Sequence, residues 1–221
     1  MGSILSMISD AFTGFPSLSA FNEVDGLTPS ERLDASGYQM ESYHLNPGEI
    51  LGTKAMLEID NKNIDTVAAF FSEGYDQLYA AEGIESRYEI AESFYEVIKS
   101  NMGITASFSF APFADPLTAG GYDDKTDSIT LNVNYLEDEN CCDLISTILH
   151  ESRHALQFKI SVEPNGGMVS EDISQSWALN FEHYILPEWD REAYRHQPIE
   201  EDAYDYEKTI MIRGLSAIGL A

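Results

Sequence analysis

The sequence predicts an α+β fold, a small mixed or antiparallel sheet with flanking helices. Two observations carry this. Apolar residues recur at helical spacing before residue 103 and again after residue 140. Between them, from Ile104 to Tyr135, apolar and polar residues alternate with the period of two that marks half-buried strands.

Residues 1 to about 60 mix small and polar residues with isolated apolar ones. Thr28-Pro29-Ser30-Glu31 has the form of a helix start, with Thr as cap, Pro at the first helical position and Glu reaching back. Asn46-Pro47-Gly48 is a turn. A helix is expected from about Asp65, its stripe formed by Val67, Phe70, Phe71, Leu78 and Tyr79. A second opens on the capping box Ser86-Arg87-Tyr88-Glu89, carries Ile90, Phe94, Val97 and Ile98 on one face, and ends at Gly103. Both stripes are core.

Ala106, Phe108 and Phe110 then alternate with Thr105, Ser107 and Ser109, which reads as a strand. Gly120-Gly121-Tyr122 leads into a polar turn from Asp123 to Asp127. In Ser128 to Tyr135, Ile129, Leu131, Val133 and Tyr135 point one way and Thr130, Asn132 and Asn134 the other. This region reads as a hairpin. Asn140 is an N-cap, with Asp143 at N3, for a helix from Cys141 to about Lys159 that turns Leu144, Ile145, Ile148, Leu149 and Leu156 inward. After a loop at Pro164-Asn165-Gly166-Gly167, a helix from Glu171 to Leu186 is stopped by Pro187. A short acidic segment leads to Pro198, which opens a last helix through Glu207. The chain divides into a mostly helical region, 1–103, and a second domain, 104–221, or forms one continuous domain.

The 221 residues carry 38 acidic and 12 basic side chains, a formal net charge of −26. That charge repels phosphate backbones and anionic lipid, so nucleic-acid partners are excluded. The first reading of that charge is solubility; the alternative is attraction of a basic substrate or partner. The two cysteines, Cys141 and Cys142, are adjacent and suit neither a structural disulfide nor a thiolate zinc site. No apolar run is long enough for a transmembrane helix, and the N-terminus lacks a basic n-region. A soluble protein is expected, cytoplasmic or exported by a non-Sec route. Gly2 and Ser6 fit the M-G-x-x-x-S acylation pattern.

The chemistry concentrates in His150-Glu151-Ser152-Arg153-His154, which holds two of the five histidines. Four residues apart on a helix, both imidazoles share one face about a turn apart. So placed they can bind one Zn²⁺, which brings bound water toward a pKa near 7. Glu151, beside the first ligand, can serve as general base. A third protein ligand is needed. In Pro198 to Tyr206, Glu200, Ala203 and Tyr206 share a helical face, so Glu200 is the candidate and Glu201 the runner-up. The small Ala203 lets the two helices approach.

His150-Glu151-x-x-His154 followed by this Glu-x-x-Ala-x-x-aromatic helix resembles the gluzincin branch of the zincin metallopeptidases, over about residues 104 to 210. The resemblance implies a zincin-like fold and zinc held by His150, His154 and Glu200. It also implies a strand before the motif, Ser128 to Tyr135, that pairs with an extended peptide substrate. The segment Ala155-Leu156-Gln157-Phe158 lacks the glycine and third histidine of metzincins. Zincins use a tyrosine or histidine as oxyanion donor, and Tyr194 and His196 lie just before Glu200; some gluzincin-like proteases place a tyrosine before the ligand glutamate, which favours Tyr194. The even alternative is that Tyr194 packs and His196 is solvated, and His44 is a polar loop residue. Arg153 points off the metal face toward an acidic partner. Asp202 is read first as part of a solvated helix face, with orientation of a ligand histidine as the second reading. The implied activity is hydrolysis of a peptide or protein substrate. The alternative is a non-catalytic zincin-like domain that binds metal or partners.

Overall fold

Thr53 starts the first helix of the computed structural model, which describes residues 53–74, 78, 83–115, 117–136, 141–163, 167–187 and 189–220. The helix start at Thr28-Pro29-Ser30-Glu31, the turn at Asn46-Pro47-Gly48 and the acylation pattern of Gly2 and Ser6 lie outside the described residues. So do His44, Tyr79, the Asn140 cap and the loop residues Pro164-Asn165-Gly166.

Helix α1 (Lys54–Ala69) is capped by the Thr53 hydroxyl, which accepts from the Met56 N–H at 3.5 Å. It begins well before Asp65, where the periodicity placed it. The buried face runs back through Ile64, Asn63, Ile59 and Met56, and the polar run Asp60-Asn61-Lys62-Asn63 breaks its hydrophobic signature. At Phe70–Gly74 the chain widens into a π turn. Helix α2 (Ile84–Met102) starts at Gly83, without a side-chain cap. Ser86 already lies inside it, so the expected capping box is not the helix start. Its end is as read: Gly103 takes a left-handed φ of 65°.

Strands β1 (Ser107–Ala111), β2 (Gly120–Asp123) and β3 (Ser128–Asn132) form a mixed sheet in the order β1-β3-β2. β2 and β3 are the antiparallel hairpin; β1 runs parallel to β3. The last strand stops at Asn132, short of Tyr135. The Asn132 Oδ1 accepts from the Asn134 N–H at 3.1 Å, and Val133–Leu136 turns into a 3₁₀ segment. Because β3 is central, both of its edges are taken, and no peptide can add along it as expected. Among the described residues β2 pairs with β3 alone, so its outer edge is the free edge of the hairpin. Its Gly120 is required by close approach: a Cβ there would lie 2.5 Å from Leu131 Cδ2 and 3.0 Å from the Thr130 carbonyl oxygen.

The other described helices are α3 (Cys141–Val162), α4 (Glu171–Glu182), α5 (Arg191–Arg195) and α6 (Pro198–Ala217). α4 ends before Leu186 because Gln197 takes over the next residues. Its side chain accepts from the Ile185 N–H at 2.7 Å and donates to the Ile185 carbonyl at 2.9 Å. The segment read only as acidic contains α5, capped by Asp190 through the N–H groups of Glu192 and Ala193. α6 continues well past Glu207, since Ile210, Met211, Gly214 and Leu215 prolong its buried face.

One hydrophobic core runs through both halves of the sequence. Val67, Phe70, Phe94 and Ile98 join Ile129, Leu131, Ile145, Ile148, Leu149, Ile210 and Met211 in it. Burying an aliphatic or phenylalanine side chain of this kind contributes about 1.5–3 kcal/mol. α1 lies on α6, where Asn63 Nδ2 donates to Tyr206 Oη at 2.6 Å. The inward faces of α3 and α6 are held rigid by this core, and they carry the motif histidines and Glu200. Among the described residues, no helix is long and apolar enough to cross a membrane.

Candidate metal centre

α3 presents His150 and His154 on successive turns, each only 6% exposed. The first turn of α6 brings Glu200 against them, fully buried. The two Nε2 atoms lie 3.0 Å apart. Glu200 Oε2 is 3.3 Å from His150 Nε2, and Glu200 Oε1 is 3.4 Å from His154 Nε2. A tetrahedral ion with bonds of ~2.0–2.1 Å spaces its ligands about 3.3 Å apart, so these separations suit one ion. Among the described residues, this is the group of His, Cys, Asp and Glu side chains placed to hold a metal. Two imidazole nitrogens face each other, and Glu200 Oε2 is enclosed without a hydrogen-bond partner.

A second layer of contacts orients the ligands. His154 Nδ1 lies 2.8 Å from Gln157 Oε1. The Gln157 amide nitrogen donates to the Ile199 carbonyl at 2.9 Å and to Asp202 Oδ2 at 2.6 Å. Those two acceptors fix which end of the amide is oxygen. Gln157 Oε1 therefore accepts, His154 carries its proton on Nδ1, and Nε2 keeps the lone pair a metal needs. Asp202 is locked by the buried Arg153, through Nε at 2.6 Å and Nη2 at 2.9 Å. Arg153 points off the metal face as the helix geometry implied, lying over the rings of Trp177 and Tyr206. Asp202 thus orients a histidine, through Gln157. On the other side, Glu207 Oε2 comes within 3.1 Å of His150 Nδ1, as an off-axis charge contact. Tyr184 Oη donates to Glu200 Oε1 at 2.6 Å.

Burial disfavours the Glu200 carboxylate, but its contacts with His150 and His154 outweigh that and hold its pKa low. Burial likewise works against a charged His150, yet Glu200 and Glu207 raise its pKa well above the usual value. Burial raises the pKa of Glu151, opposed by the two histidines. The phenols of Tyr184 and Tyr194 are pushed up by burial and by the charge of Glu200, so both keep their protons.

The site opens on a cleft of about 240 Å³. β2 and the turn after it form one wall with Gly120, Gly121, Tyr122 and Asp124, while Phe181, Tyr184, Tyr194 and Ile199 form the other. Glu151, His154 and Glu200 lie at its base. Tyr194 lines this cleft, its ring edge-on to that of Tyr184. Glu201 does not: it is exposed and pairs with His196 at 2.9 Å. His183 caps the end of α4 and is exposed.

Three contributors escaped the sequence reading. Gln157, three residues after His154, and Glu207, seven after Glu200, both had a helical spacing that could have found them. Tyr184 had none, because it lies in the irregular segment after α4. No protein-family model, curated protein or solved structure matches the chain.

Proposed function

We propose that the chain is a zinc-dependent peptidase of the zincin type, gluzincin branch, with His150, His154 and Glu200 as metal ligands and Glu151 as general base. The observation that carries this reading is the convergence of three buried side chains, His150, His154 and Glu200, of which His154 and Glu200 line a cleft that Glu151 also lines. Two imidazoles and one carboxylate suit zinc, and three protein ligands leave a position open, as in catalytic sites. When bound, zinc supplies Lewis acidity, which eases deprotonation of water and polarises a substrate carbonyl.

The chain's own residues do the rest. Glu151 takes a proton from the water whose oxygen attacks the carbonyl carbon. As the C–N bond breaks, it passes that proton to the leaving amine nitrogen. Burial, which raises the Glu151 pKa, suits a group that must accept and then release a proton. Tyr194 supplies a phenol toward the oxyanion that develops in between.

An extended substrate is held by β2. The Asn132 N–H bonds to the Ala119 carbonyl at 2.8 Å, which sets the phase of the antiparallel ladder. Gly121 and Asp123 then face β3, and the backbone N–H and C=O groups of Gly120 and Tyr122 face the free edge. A peptide adding there would run along the cleft. Among the described residues the cleft walls carry Asp124 and no lysine or arginine, which favours basic peptides.

The test compares wild-type protein and Glu151→Gln on a mixed peptide library in the presence of zinc. Wild type should cleave, with loss of at least ~100-fold in the variant. Equal cleavage by the two, or none by zinc-loaded wild type, rejects the reading.

A further inference from the structure

Among the described residues of the cleft wall, Tyr184 hydrogen-bonds a proposed metal ligand directly, and that bond divides the two oxygens of Glu200. Oε1 receives the phenol proton at 2.6 Å. Oε2 is enclosed, has no hydrogen-bond partner, and faces His150 Nε2 at 3.3 Å. A buried carboxylate oxygen without a partner is costly, and Oε2 is where that cost falls. An oxygen already taken by a short phenol bond is a poorer metal donor than its free twin.

We propose that Tyr184 is a positioning residue that makes Glu200 a one-oxygen ligand, with Oε2 on the metal and Oε1 kept off it. This rests on the metal centre proposed above and assigns it a coordination mode. A carboxylate free to bind through both oxygens would take the position that a catalytic site must leave open for water and substrate. The phenol prevents that by occupying Oε1. Its own placement is defined: the Tyr184 ring meets the Tyr194 ring edge-on, with centroids 6.1 Å apart. The neighbouring residue, Ile185, is clamped through its N–H and carbonyl by Gln197. The hydroxyl is thus held by the segment that leaves α4, which Gln197, the N-cap residue of α6, fixes against the helix that carries Glu200.

The experiment loads full-length wild type and Tyr184→Phe with zinc and, separately, with Co²⁺. Zinc affinity is read by competition with a chromophoric chelator, and coordination by the visible cobalt spectrum. The substitution keeps the ring and removes only the hydroxyl. Zinc binding is expected to weaken by about 10–100-fold, the usual effect of losing an outer contact to a ligand. The intense tetrahedral cobalt bands should weaken as Glu200 binds through both oxygens. Equal affinity and an unchanged spectrum in a folded Tyr184→Phe protein overturn the proposal. Zinc-loaded wild-type crystals decide it even if the variant fails to fold. One Glu200 oxygen within ~2.2 Å of the metal, with the other on Tyr184, supports it, and two oxygens at bonding distance overturn it. Failure of wild type to bind zinc or cobalt at all removes the metal-centre reading itself, and this inference with it.

Discussion

At the scale of single residues, the site is a set of buried polar groups whose protons and lone pairs are assigned by their neighbours. Gln157 shows how tightly. Its amide is read at three points: His154 Nδ1, the Ile199 carbonyl and Asp202. Only one orientation satisfies all three. Gln157→Leu is close in volume, but it strips His154 of its acceptor and leaves Asp202 with Arg153 alone. The ring would then lose both its orientation and its preference for a proton on Nδ1. Zinc affinity should fall about 10–100-fold, measured by chelator competition on a protein with an unchanged circular dichroism spectrum. Unaltered affinity would mean that Gln157 merely fills space. The motif histidines, Glu151 and Glu200 were legible from the sequence because helical spacing puts them on known faces. Tyr184 was not. The bond it makes depends on where an irregular segment lies, and Gln197, twelve residues from Ile185 along the chain, controls that.

At the scale of elements, the site depends on how close α1, α3 and α6 approach. Ala203 is fully buried on α6, between Glu200 and Tyr206, where a larger side chain would hold Glu200 away from the histidines. Further along, Gly214 does the same for α1. A Cβ built there would lie 2.5 Å from Val67 Cγ1, 2.8 Å from Val67 Cβ and 3.2 Å from the Ile64 carbonyl oxygen. Gly214→Ala gains about 1 kcal/mol of helix propensity. Overpacking costs typically ~1–3 kcal/mol, and contacts this short at a branched Cβ and a backbone oxygen belong at the upper end. The packing effect wins, so the variant should be less stable by about 1–2 kcal/mol in urea unfolding. A more stable variant would show that α1 and α6 can separate freely. Helix existence was readable from periodicity, and helix extent was not. α1 is longer than its hydrophobic signature because buried Asn63 is paired with Asn101 and Tyr206. α6 is longer because Ile210, Met211, Gly214 and Leu215 carry its buried face on past the acidic run that ends at Glu207. The sheet's alternation was readable too. Its strand order was not, since period two says nothing about which strand lies in the middle, and that order moves the edge proposed for substrate from β3 to β2.

At the scale of the whole molecule, the charge of −26 sets a field that any substrate meets before it meets the cleft. The Debye length is about 10 Å at 0.1 M salt and ~3 Å at 1 M, so distant surface charges act at low salt and are screened at high salt. Asp124 lies in the cleft wall itself and would contact a bound peptide over a much shorter distance. The two contributions separate experimentally. Peptides with lysine or arginine near the scissile bond should have higher kcat/KM than glutamate-bearing counterparts at low salt. The part due to the overall field should decline steeply between ~0.05 and ~0.5 M salt, mainly through the association rate. The part due to Asp124 should survive at high salt and be removed by Asp124→Asn. That residue takes no part in the metal centre, so zinc affinity should stay within about twofold of wild type, against the ~10–100-fold seen when a ligand contact is lost. A salt-independent ratio of one between basic and acidic peptides would mean that the acidic surface serves solubility alone. It would leave the metal centre, and the hydrolysis proposed for it, untouched.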